Sequence, residues 1–486
     1  MEEILKQIVE KRIKTIESKG INFGINIPQK REVPLTPPDL EKGVIICEIK
    51  RGSPSEGKMN NIDNPVEWVS HYEKGGANTI SVLTEEDFFL GSLSDLILIK
   101  KQFPHLTILR KDFLLSEEEI EISYRIGADM VLLIASILPY QLLEKMKNKA
   151  ESLGLTPLIE IHNEDELKKI LPLKPKLIGI NSRDLKTFKL DRNYPYALKK
   201  LIEEDNILNN YKSFVVFESG IRNYTDSFFV ANAGFSGILV GTSIIKSGEL
   251  TEKILDLKNG FISGLQSKKR FYPEIFKKIY IDKKIVIKIC GITNILDANY
   301  AIKEGVDILG FVFAESPRKI EINKAKEILS EIGDRVLKVG VVVSENIEEI
   351  VTLVKEGFLD AIQFHNDFTN DKCMSYNVCW YKATRVKENS DFDKQYYSPI
   401  TLFDAFSKDA MGGTGKQIDP NLLLYAKEKN IPLCLAGGIN PDNVKTIITE
   451  YHPILIDVSS GLEEKPGKKD FGKIDKFFSE VKFSFL

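Results

Sequence analysis

The sequence predicts an α/β protein that consists of two consecutive (β/α)8 barrels of the TIM type. Two observations predict this fold. Short runs rich in Val, Ile and Leu alternate with helical patterns after residue 40, and strands buried on both faces have this composition. The alternation starts again near residue 284. The 486 residues accommodate two barrels of up to ~250 residues each.

The elements follow in order along the chain. Residues 1–20 carry many charges of both signs, which predicts an amphipathic helix before the first barrel rather than a signal peptide. The predicted strands of the first barrel are 44–49, 78–83, 106–109, 129–134, 156–160, 177–180, 213–217 and 237–240. Those of the second barrel are 285–289, 307–312, 336–343, 360–363, 378–381, 400–403, 432–435 and 454–458.

These strands predict one domain over 1–258 and another over 284–486. The linker between them, residues 259–283, is basic and aromatic rather than rich in Gly and Ser. We therefore do not expect it to be a flexible tether.

Composition excludes several classes of partner. The net charge of −3 does not favour a nucleic-acid surface, and no apolar run is long enough to span a membrane. The five cysteines form no CxxC pair and no metal-binding spacing. The sequence thus predicts a cytoplasmic monomer that binds small molecules and uses no metal.

Polar residues follow the strands of the first barrel, where a lone charge is costly unless it is paired or functional. A parallel barrel brings all strand C-termini to one face, so these side chains are expected to converge on one cleft. They are Glu48, Lys50, Lys111, Glu160, Asn181, Arg183, Glu218 and Ser219. From the residues alone, an ion pair that closes the barrel mouth explains Glu48 and Lys50 equally well.

A phosphate site is predicted at the end of the same barrel. Gly241 and Ser243 follow the last strand and open a helix, where backbone N–H groups and the helix dipole favour an anion. Ser53 and Gly220 are expected to add donors. Each of these signals is weak alone, since glycine is common after strands.

Residues 1–255 resemble indole-3-glycerol-phosphate synthases through six motifs in family order. The motifs are CEIKRGSPSEG (47–57), LTEEDFFLGS (83–92), LRKDF (109–113), IEIH (159–162), INSRDL (180–185) and ESGI (218–221). That family closes the indole ring of a carboxyphenylamino-deoxyribulose phosphate and releases carbon dioxide and water. No cofactor is needed for this reaction.

The resemblance implies specific roles for the first set of residues. Lys111 would be the general acid and Glu160 the general base, with Glu48 and Lys50 assisting dehydration and substrate binding. A lysine crowded by other cations in a dry cleft is expected to titrate low enough to deliver its proton. The implied substrate and phosphate contacts are Asn181, Arg183, Glu218, Ser219, Ser53, Gly220, Gly241 and Ser243, and the implied anthranilate pocket is Phe89 and Phe113.

In the second half, Cys290 ends the first strand and Asp404 ends the sixth. A buried core cysteine is the simpler interpretation of Cys290. However, Gly291 gives backbone access, and a cation such as Lys288 is expected to lower the pKa of the thiol. A thiolate base opposite a carboxylic acid can move a proton from carbon and another onto oxygen, as an aldose–ketose rearrangement requires.

Glycine and serine runs after the late strands of the second half predict a phosphate cradle. They contain Gly413, Gly415, Gly437, Gly438, Ser459 and Ser460. Arg318 follows Pro317 and is interpreted either as a bidentate clamp for a carboxylate or as a solvated loop arginine.

From residue 284 onward the chain resembles phosphoribosylanthranilate isomerases. The matching motifs are KICGIT (288–293), SPR (316–318), LFDAF (402–406), GGTG (412–415), AGGI (436–439) and DVSSGLE (457–463). The resemblance implies Cys290 as base, Asp404 as acid and Arg318 on the anthranilate carboxylate. Gln363 and His365 are kept in a QFHN motif that departs from the usual QLHG.

Both families in this order resemble a bifunctional enzyme of tryptophan biosynthesis, in which the second domain makes the substrate of the first. One alternative keeps two phosphosugar barrels but assigns an isomerisation of the histidine-biosynthesis type. Another is a ligand-sensing or scaffolding protein with inactive barrels. The presence of Lys50, Lys111, Glu160, Cys290 and Asp404 argues against the latter.

Overall fold

A computed structural model describes most of the chain and divides it into two compact units. The described residues are 2–54, 57–59, 62, 64–184, 189–266, 270–343, 347–365, 368–394, 397–405 and 417–483. One unit runs from Met1 to Leu265 and the other from Gln266 to Leu486. Within the described part of the chain, no helix has both the length and the apolar character needed to cross a membrane.

The first unit contains a closed barrel of eight parallel strands. Its strands are β1 (Val44–Ile49), β2 (Gly52–Ser53), β3 (Gly57–Lys58), β4 (Thr79–Leu83), β5 (Thr107–Lys111), β6 (Met130–Ile134), β7 (Thr156–Ile161), β8 (Leu177–Asn181), β9 (Phe214–Glu218) and β10 (Gly237–Val240). The barrel order is β1-β4-β5-β6-β7-β8-β9-β10, and β10 closes on β1. The short strands β2 and β3 form an antiparallel pair just after β1.

Helices connect these strands. They are α1 (Glu2–Lys19), α2 (Pro65–Lys74), α3 (Leu93–Gln102), α4 (Glu117–Ile126), α5 (Tyr140–Ser152), α6 (Glu164–Ile170), α7 (Tyr194–Glu204), α8 (Asn206–Tyr211), α9 (Tyr224–Asn232), α10 (Thr242–Ile245) and α11 (Leu250–Gly264). Single 3-10 turns cover Leu40–Lys42 and Leu171–Leu173. Most α-helix N-termini that follow a strand are capped by an Asn or Ser side chain, as at Asn163 before α6.

The core of the first barrel is an apolar cluster of inward-facing residues from its strands, including Ile46, Leu109, Leu158 and Val216. Ile8 of α1 belongs to the same cluster, so the extra N-terminal helix packs against this barrel. The strand register places Asn181 at the end of β8 directly beside Glu218 at the end of β9. These two polar residues therefore lie at the same height along the barrel axis.

The second unit contains another closed parallel barrel with strands in sequence order. Its strands are β11 (Val286–Cys290), β12 (Ile308–Val312), β13 (Leu337–Val342), β14 (Ala361–Phe364), β15 (Trp380–Val386), β16 (Thr401–Ala405), β17 (Cys434–Ala436) and β18 (Leu455–Val458), followed by the antiparallel pair β19 (Glu463–Lys465) and β20 (Lys468–Lys469). Its helices are α12 (Phe271–Tyr280), α13 (Ile295–Glu304), α14 (Ile322–Ile332), α15 (Glu348–Lys355), α16 (Asn370–Ser375), α17 (Pro420–Glu428), α18 (Val444–Tyr451) and α19 (Phe471–Phe483), with 3-10 turns at Asn389–Asp391 and Ser460–Leu462.

The predicted fold class is confirmed: two tandem eight-stranded barrels, the first preceded by a helix. Strand ends differ from the predicted ones by a few residues, most at β15, which runs on to Val386. The segment predicted as a linker, 259–283, contains the end of α11 and all of α12. The exact domain boundaries stay a prediction of the sequence.

Candidate active sites

The strand C-termini of the first barrel surround a cavity of about 410 Å³. Thirteen of the residues that the sequence predicted for this cleft line it: Glu48, Lys50, Ser53, Phe89, Lys111, Phe113, Glu160, Asn181, Arg183, Ser219, Gly220, Gly241 and Ser243. Glu218, the fourteenth, does not line the cavity and is fully buried. These side chains therefore lie together at the C-terminal ends of the strands, and their roles stay a prediction.

Lys111 is surrounded by carboxylates. Its Nζ lies 3.0 Å from Oε2 of Glu218 and 3.6 Å from Oε2 of Glu48, and Nζ of Lys50 lies 2.8 Å from Oε1 of Glu48. Burial alone would lower the pKa of Lys111, but the charges of Glu218, Glu48 and Glu160 raise it. The expectation that neighbouring cations lower the pKa of Lys111 is wrong, because carboxylates dominate its surroundings.

The pKa values of two neighbouring buried carboxyl groups, Glu160 and Glu218, are shifted in opposite directions. Burial favours the neutral form of Glu160, yet the hydrogen bond and charge of His162 and the charge of Lys111 outweigh it and lower the pKa. Burial and the negative charge of Glu160 raise the pKa of Glu218, against the attraction of Lys111. Glu160 is therefore the more acidic group of this pair.

Close packing holds Glu218 in place. A Cβ atom at Gly179 on the neighbouring strand β8 would lie 2.0 Å from Oε1 of Glu218. Glycine at this position is therefore what leaves room for the carboxylate that contacts Lys111.

The predicted phosphate end lies between the loops after β9 and β10. Ser219 and Gly220 both have positive φ angles, +68° and +80°, which turn the chain sharply after Glu218. The hydroxyl of Ser243 donates to the carbonyl of Ile221 at 2.7 Å, so this side chain is already engaged. At the start of α10 the backbone N–H of Ser243 is the group expected to contact an anion. A non-glycine residue in the left-handed region, such as Ser219, marks a functional constraint more often than chance.

The apolar end of the cavity holds two aromatic side chains whose rings are tilted by 37° to each other. The ring centroids of Phe89 and Phe113 lie 5.9 Å apart, beside Leu132 and Ile134. Glu85 accepts hydrogen bonds from the backbone N–H groups of residues 87, 88 and 89 at 2.8 to 3.0 Å. This carboxylate fixes the turn that presents Phe89, a role that sequence reasoning missed.

The second barrel surrounds a separate cavity of about 420 Å³. Predicted residues that line it are Cys290, Arg318, His365, Asp404, Gly437, Gly438, Ser459 and Ser460. Gly413 and Gly415 lie outside the described residues. Cys290 and Asp404 thus face one cavity, as the predicted chemistry requires.

Cys290 is less acidic than predicted. Burial raises the pKa of its thiol by more than the charges of Lys288 and Lys469 lower it. Lys288 lowers the pKa of the thiol, as expected, but burial outweighs it, and Asp457, 2.6 Å from Lys288, adds a negative charge that raises the pKa.

Asp404 holds a proton more firmly than an ordinary aspartate. Burial, with the negative charge of Asp457, raises its pKa to about 6, although the backbone N–H of Ala405 donates to Oδ1 at 2.8 Å. An aspartic acid with this pKa is suited to general acid chemistry near neutral pH.

A hydrogen-bonded network lies at the base of this cavity. Nζ of Lys288 donates to Oε1 of Gln363 at 2.8 Å, and the hydroxyl of Tyr381 donates to the same atom at 2.7 Å. The amide nitrogen of Gln363 lies 2.6 Å from Nε2 of His365. Burial and nearby cations lower the pKa of His365 to about 3, so its imidazole is neutral and accepts this hydrogen bond.

Arg318 is not a solvated loop residue. Its side chain is 11% exposed and forms a bidentate pair with Glu463, with Nε–Oε1 at 3.0 Å and Nη2–Oε2 at 2.8 Å. The fully buried Lys469 also contacts Glu463, at 3.0 Å, and donates to the carbonyl of Cys290 at 2.6 Å. Glu463 therefore holds Nε and Nη2 of Arg318, and the side chain of Arg318 remains part of the cavity wall.

Within the described ranges, no group of three or more His, Cys, Asp or Glu side chains is arranged to hold a metal ion.

Two family models match the chain in the order of the two barrels. The model described as indole-3-glycerol phosphate synthase matches residues 32–257, and the model described as N-(5'phosphoribosyl)anthranilate (PRA) isomerase matches residues 287–480. The tryptophan biosynthesis protein TrpCF of Helicobacter pylori is 31% identical over 444 residues, which cover 90% of this chain and 89% of that protein. The chain belongs to this family of fused synthase–isomerase proteins.

The chain is a bifunctional tryptophan-biosynthesis enzyme, with the synthase barrel N-terminal and the isomerase barrel C-terminal. The multifunctional tryptophan biosynthesis protein of Schizosaccharomyces pombe is 29% identical over 99% of this chain, which spans 66% of that protein's length. A crystal structure of phosphoribosyl anthranilate isomerase from Thermotoga maritima is 34% identical, with a TM-score of 0.38; the match covers 41% of this chain and 99% of that one.

In the synthase barrel, sequence reasoning missed three cations that line the cavity: Arg192, Arg222 and Lys246. Asp226 on α9 accepts from Arg222 at 2.8 Å and lies 3.7 Å from Arg192. These residues lie in loops or in a helix beyond the strand ends, so the rule that picked out strand tips did not reach them. In the isomerase barrel it likewise missed Asp457, Glu463 and Lys469, although Asp457 and Glu463 stand within a quoted motif.

Proposed function

We propose that Asp404 and Cys290 carry out the isomerisation as acid and base, respectively. Protonated Asp404 donates to the ribose ring oxygen, the bond from C1 to that oxygen breaks, and the ring opens to a protonated imine on the anthranilate nitrogen. The thiolate of Cys290 removes the proton from the adjacent sugar carbon C2, which gives a neutral enolamine. The enolamine then takes up a proton at C1, loses the proton of its C2 hydroxyl and becomes the ketone, 1-(2-carboxyphenylamino)-1-deoxyribulose 5-phosphate.

The raised pKa of Asp404 supports this assignment, since the acid retains its proton near pH 6. Lys288 and Lys469 lower the free energy of the thiolate once it forms. Gly437, Gly438, Ser459 and Ser460 line the same cavity, and we assign them to the substrate phosphate. The sequence pattern assigns Gly413 and Gly415, outside the described residues, to the same group. His365, as a neutral acceptor, would orient the substrate.

In the synthase barrel we assign Lys111 as the acid that protonates the ketone oxygen as the ring carbon attacks. Carbon dioxide leaves and restores the aromatic ring. In the dehydration that follows, Glu160 accepts the proton lost from the carbon next to the one that carries the hydroxyl. The hydroxyl is protonated and departs as water, assisted by Glu48 and Lys50. Because its carboxylate neighbours keep Lys111 charged, it both stabilises the developing alkoxide and supplies the proton.

The remaining predicted residues would bind the substrate. Phe89 and Phe113 would hold the anthranilate ring, and Asn181, Arg183, Glu218 and Ser219 would position the chain. Ser53, Gly220, Gly241 and Ser243 would contact the phosphate. The observation that supports the whole assignment is that each barrel gathers its acid, its base and its glycine-rich end around its own cavity.

Paired substitutions test the division of labour. Lys111→Ala is expected to abolish ring closure and leave isomerisation intact, and Cys290→Ala to do the reverse. Isomerisation is followed with phosphoribosylanthranilate, and ring closure with the purified ketone, so each activity has its own assay. Loss of both activities in either folded variant would show that the two-site assignment is wrong. Imidazole ribotides serve as control substrates and are expected not to react.

We also propose that the chain is monomeric and acts in the cytoplasm. All five cysteines are buried and free, which fits a reducing compartment. Light scattering coupled to gel filtration measures the mass directly. A mass of about twice 55.0 kDa would contradict the monomer.

A further inference from the structure

One buried histidine of the synthase barrel lies between two carboxylates. His162 directly follows β7, and its side chain is 6% exposed. Its Nε2 lies 3.3 Å from Oε1 of Glu160, and its Nδ1 lies 3.0 Å from Oε2 of Glu166 on α6. The ring therefore bridges the proposed base and a carboxylate that does not line the cavity.

The outer carboxylate is itself fixed by the start of α6. Glu166 accepts from the backbone N–H of His162 at 2.8 Å and from the side-chain amide of Asn163 at 2.8 Å. The backbone N–H of Glu166 in turn donates to Asn163 at 2.9 Å, which closes a reciprocal cap. Because Glu166 holds Nδ1, the ring orientation is set, and it leaves Nε2 at ion-pair distance, 3.3 Å, from Oε1 of Glu160.

The groups that face Glu160 come from two other strands and from the residue that follows its own strand. Lys111 approaches from β5, Glu218 from β9 and His162 from the end of β7. His162 also faces Glu166 on α6, and Tyr194 at the start of α7 lies near the acidic first turn of α6. Lys111 is shared with Glu218 and Glu48, whereas His162 is shared with Glu166, which engages the other ring nitrogen.

We propose that His162 is a positioning residue for ring closure: held by Glu166, its imidazolium keeps Glu160 ionised and aimed at the substrate. The inference rests on the proposed role of Glu160 as the base. It explains how a fully buried carboxylate remains a proton acceptor, since burial opposes the ionisation of Glu160. The arrangement is a carboxylate–histidine–carboxylate chain in which the middle group is an ion rather than a shuttle.

The electrostatics agree with this geometry. Burial disfavours the charged ring, but hydrogen bonds and charge from Glu160 and Glu166 outweigh it and raise the pKa of His162 to about 10. A histidine of this kind stays charged over the whole pH range in which the enzyme can be assayed.

Nitrogen NMR of the whole protein tests the charge state directly. The chain has five histidines, so a His162→Asn spectrum identifies the signal of His162. We expect it to remain that of an imidazolium at pH 8.5 and its pKa to fall in Glu166→Gln but not in Glu164→Gln, the matched control on the same helix. A neutral ring at pH 7.5 in the wild-type protein would overturn the proposal.

Kinetics test the consequence for Glu160. In His162→Asn, the acidic limb of the pH profile for ring closure is expected to move up by about one pH unit or more, because Glu160 loses a cation within hydrogen-bond distance. His162→Gln repeats the test if the Asn variant melts early, and His105→Asn, whose side chain is 61% exposed, is the control. Isomerase activity is expected to be unchanged throughout.

Glu160→Gln separates the two levels of the argument. If it kept full ring-closing activity, the assignment of the base and this inference would both fail. If it were inactive while His162→Asn kept the wild-type pH profile, only the role of His162 would be refuted.

Discussion

Replacing Arg12 with Met is expected to destabilise the synthase barrel strongly, although Arg12 does not line its cavity. Arg12 lies on α1, and its side chain is 2% exposed. Its Nη2 lies 2.9 Å from Asp112 and 2.8 Å from Glu119, and both carboxylates are fully buried. The guanidinium also lies 4.2 Å from the ring centroid of Phe23. Asp112 directly follows Lys111, so the N-terminal helix anchors the loop after β5.

The remaining contacts set the magnitude. In the variant, Asp112 retains its ion pair with Arg110 at 3.0 Å and the hydrogen bond from the hydroxyl of Thr84 at 2.6 Å. Glu119 retains the hydrogen bond from the backbone N–H of Leu115 at 2.7 Å. Because this partner carries no charge, Glu119 becomes the carboxylate whose negative charge is poorly compensated. Breaking a buried ion pair from one side costs about 3–5 kcal/mol. The retained partners place the expected loss near the lower value, about 3 kcal/mol, which corresponds to about 6–12 °C in melting temperature for a domain of this size.

The assay is loss of each activity after heating, because the isomerase serves as an internal reference in the same chain. Ring closure in Arg12→Met is expected to be lost at a lower temperature than in wild type, and isomerisation at the same temperature. The double variant Arg12→Met/Glu119→Gln removes the unpaired charge and is expected to recover part of the loss. The control is Lys212→Met, which breaks an exposed pair with Glu41. If Arg12→Met melted like this control, the buried network would not hold the barrel together.

Three further predictions concern the isomerase barrel. Asp404→Asn is expected to stabilise the isomerase barrel by about 3 kcal/mol at pH 8 and little at pH 4. The reason is that burial raises the pKa of Asp404 to about 6. The wild-type barrel therefore has its full stability below about pH 4 and loses part of it as the pH rises through about 6 and Asp404 ionises. Urea unfolding at both pH values measures this, and equal effects would contradict it. Lys469→Met is expected to slow alkylation of Cys290 by iodoacetamide, because the charge of Lys469 lowers the pKa of the thiol. The control is Lys468→Met, at the exposed neighbouring position, which is expected to leave the rate unchanged. Equal alkylation rates in Lys469→Met and wild type would refute the prediction. Glu463→Gln is expected to raise the isomerase KM several-fold with a smaller change in kcat, since it loosens the bidentate hold on Arg318; a change in kcat alone would argue against that role.

Local sequence pattern and barrel topology made part of the synthase site predictable. Glu48, Lys111 and Glu160 stand at strand ends, and a parallel barrel brings strand ends together, so their convergence could be predicted without coordinates. The direction of their pKa shifts could not. Lys111 takes its charge environment from Glu218, 107 residues later, and the effect of such neighbours on a pKa depends on distances that no motif encodes.

The same limit applies to Cys290 and Arg318. Lys288, two residues before Cys290, lowers the pKa of the thiol as expected, but the carboxylate that pairs with it, Asp457, lies 169 residues later. Arg318 was expected to be either solvated or a clamp for a carboxylate, and its partner Glu463 lies 145 residues later. Sequence spacing does not reveal contacts between such distant residues.

Gly179 has a consequence for anyone who randomises this enzyme. It carries no side chain, and alanine is usually a mild replacement. Here a single methyl would collide with the carboxylate on the next strand and push it off the ammonium of Lys111. A mutational screen should therefore record a dead synthase at an inert-looking position, while the other half of the polypeptide goes on working.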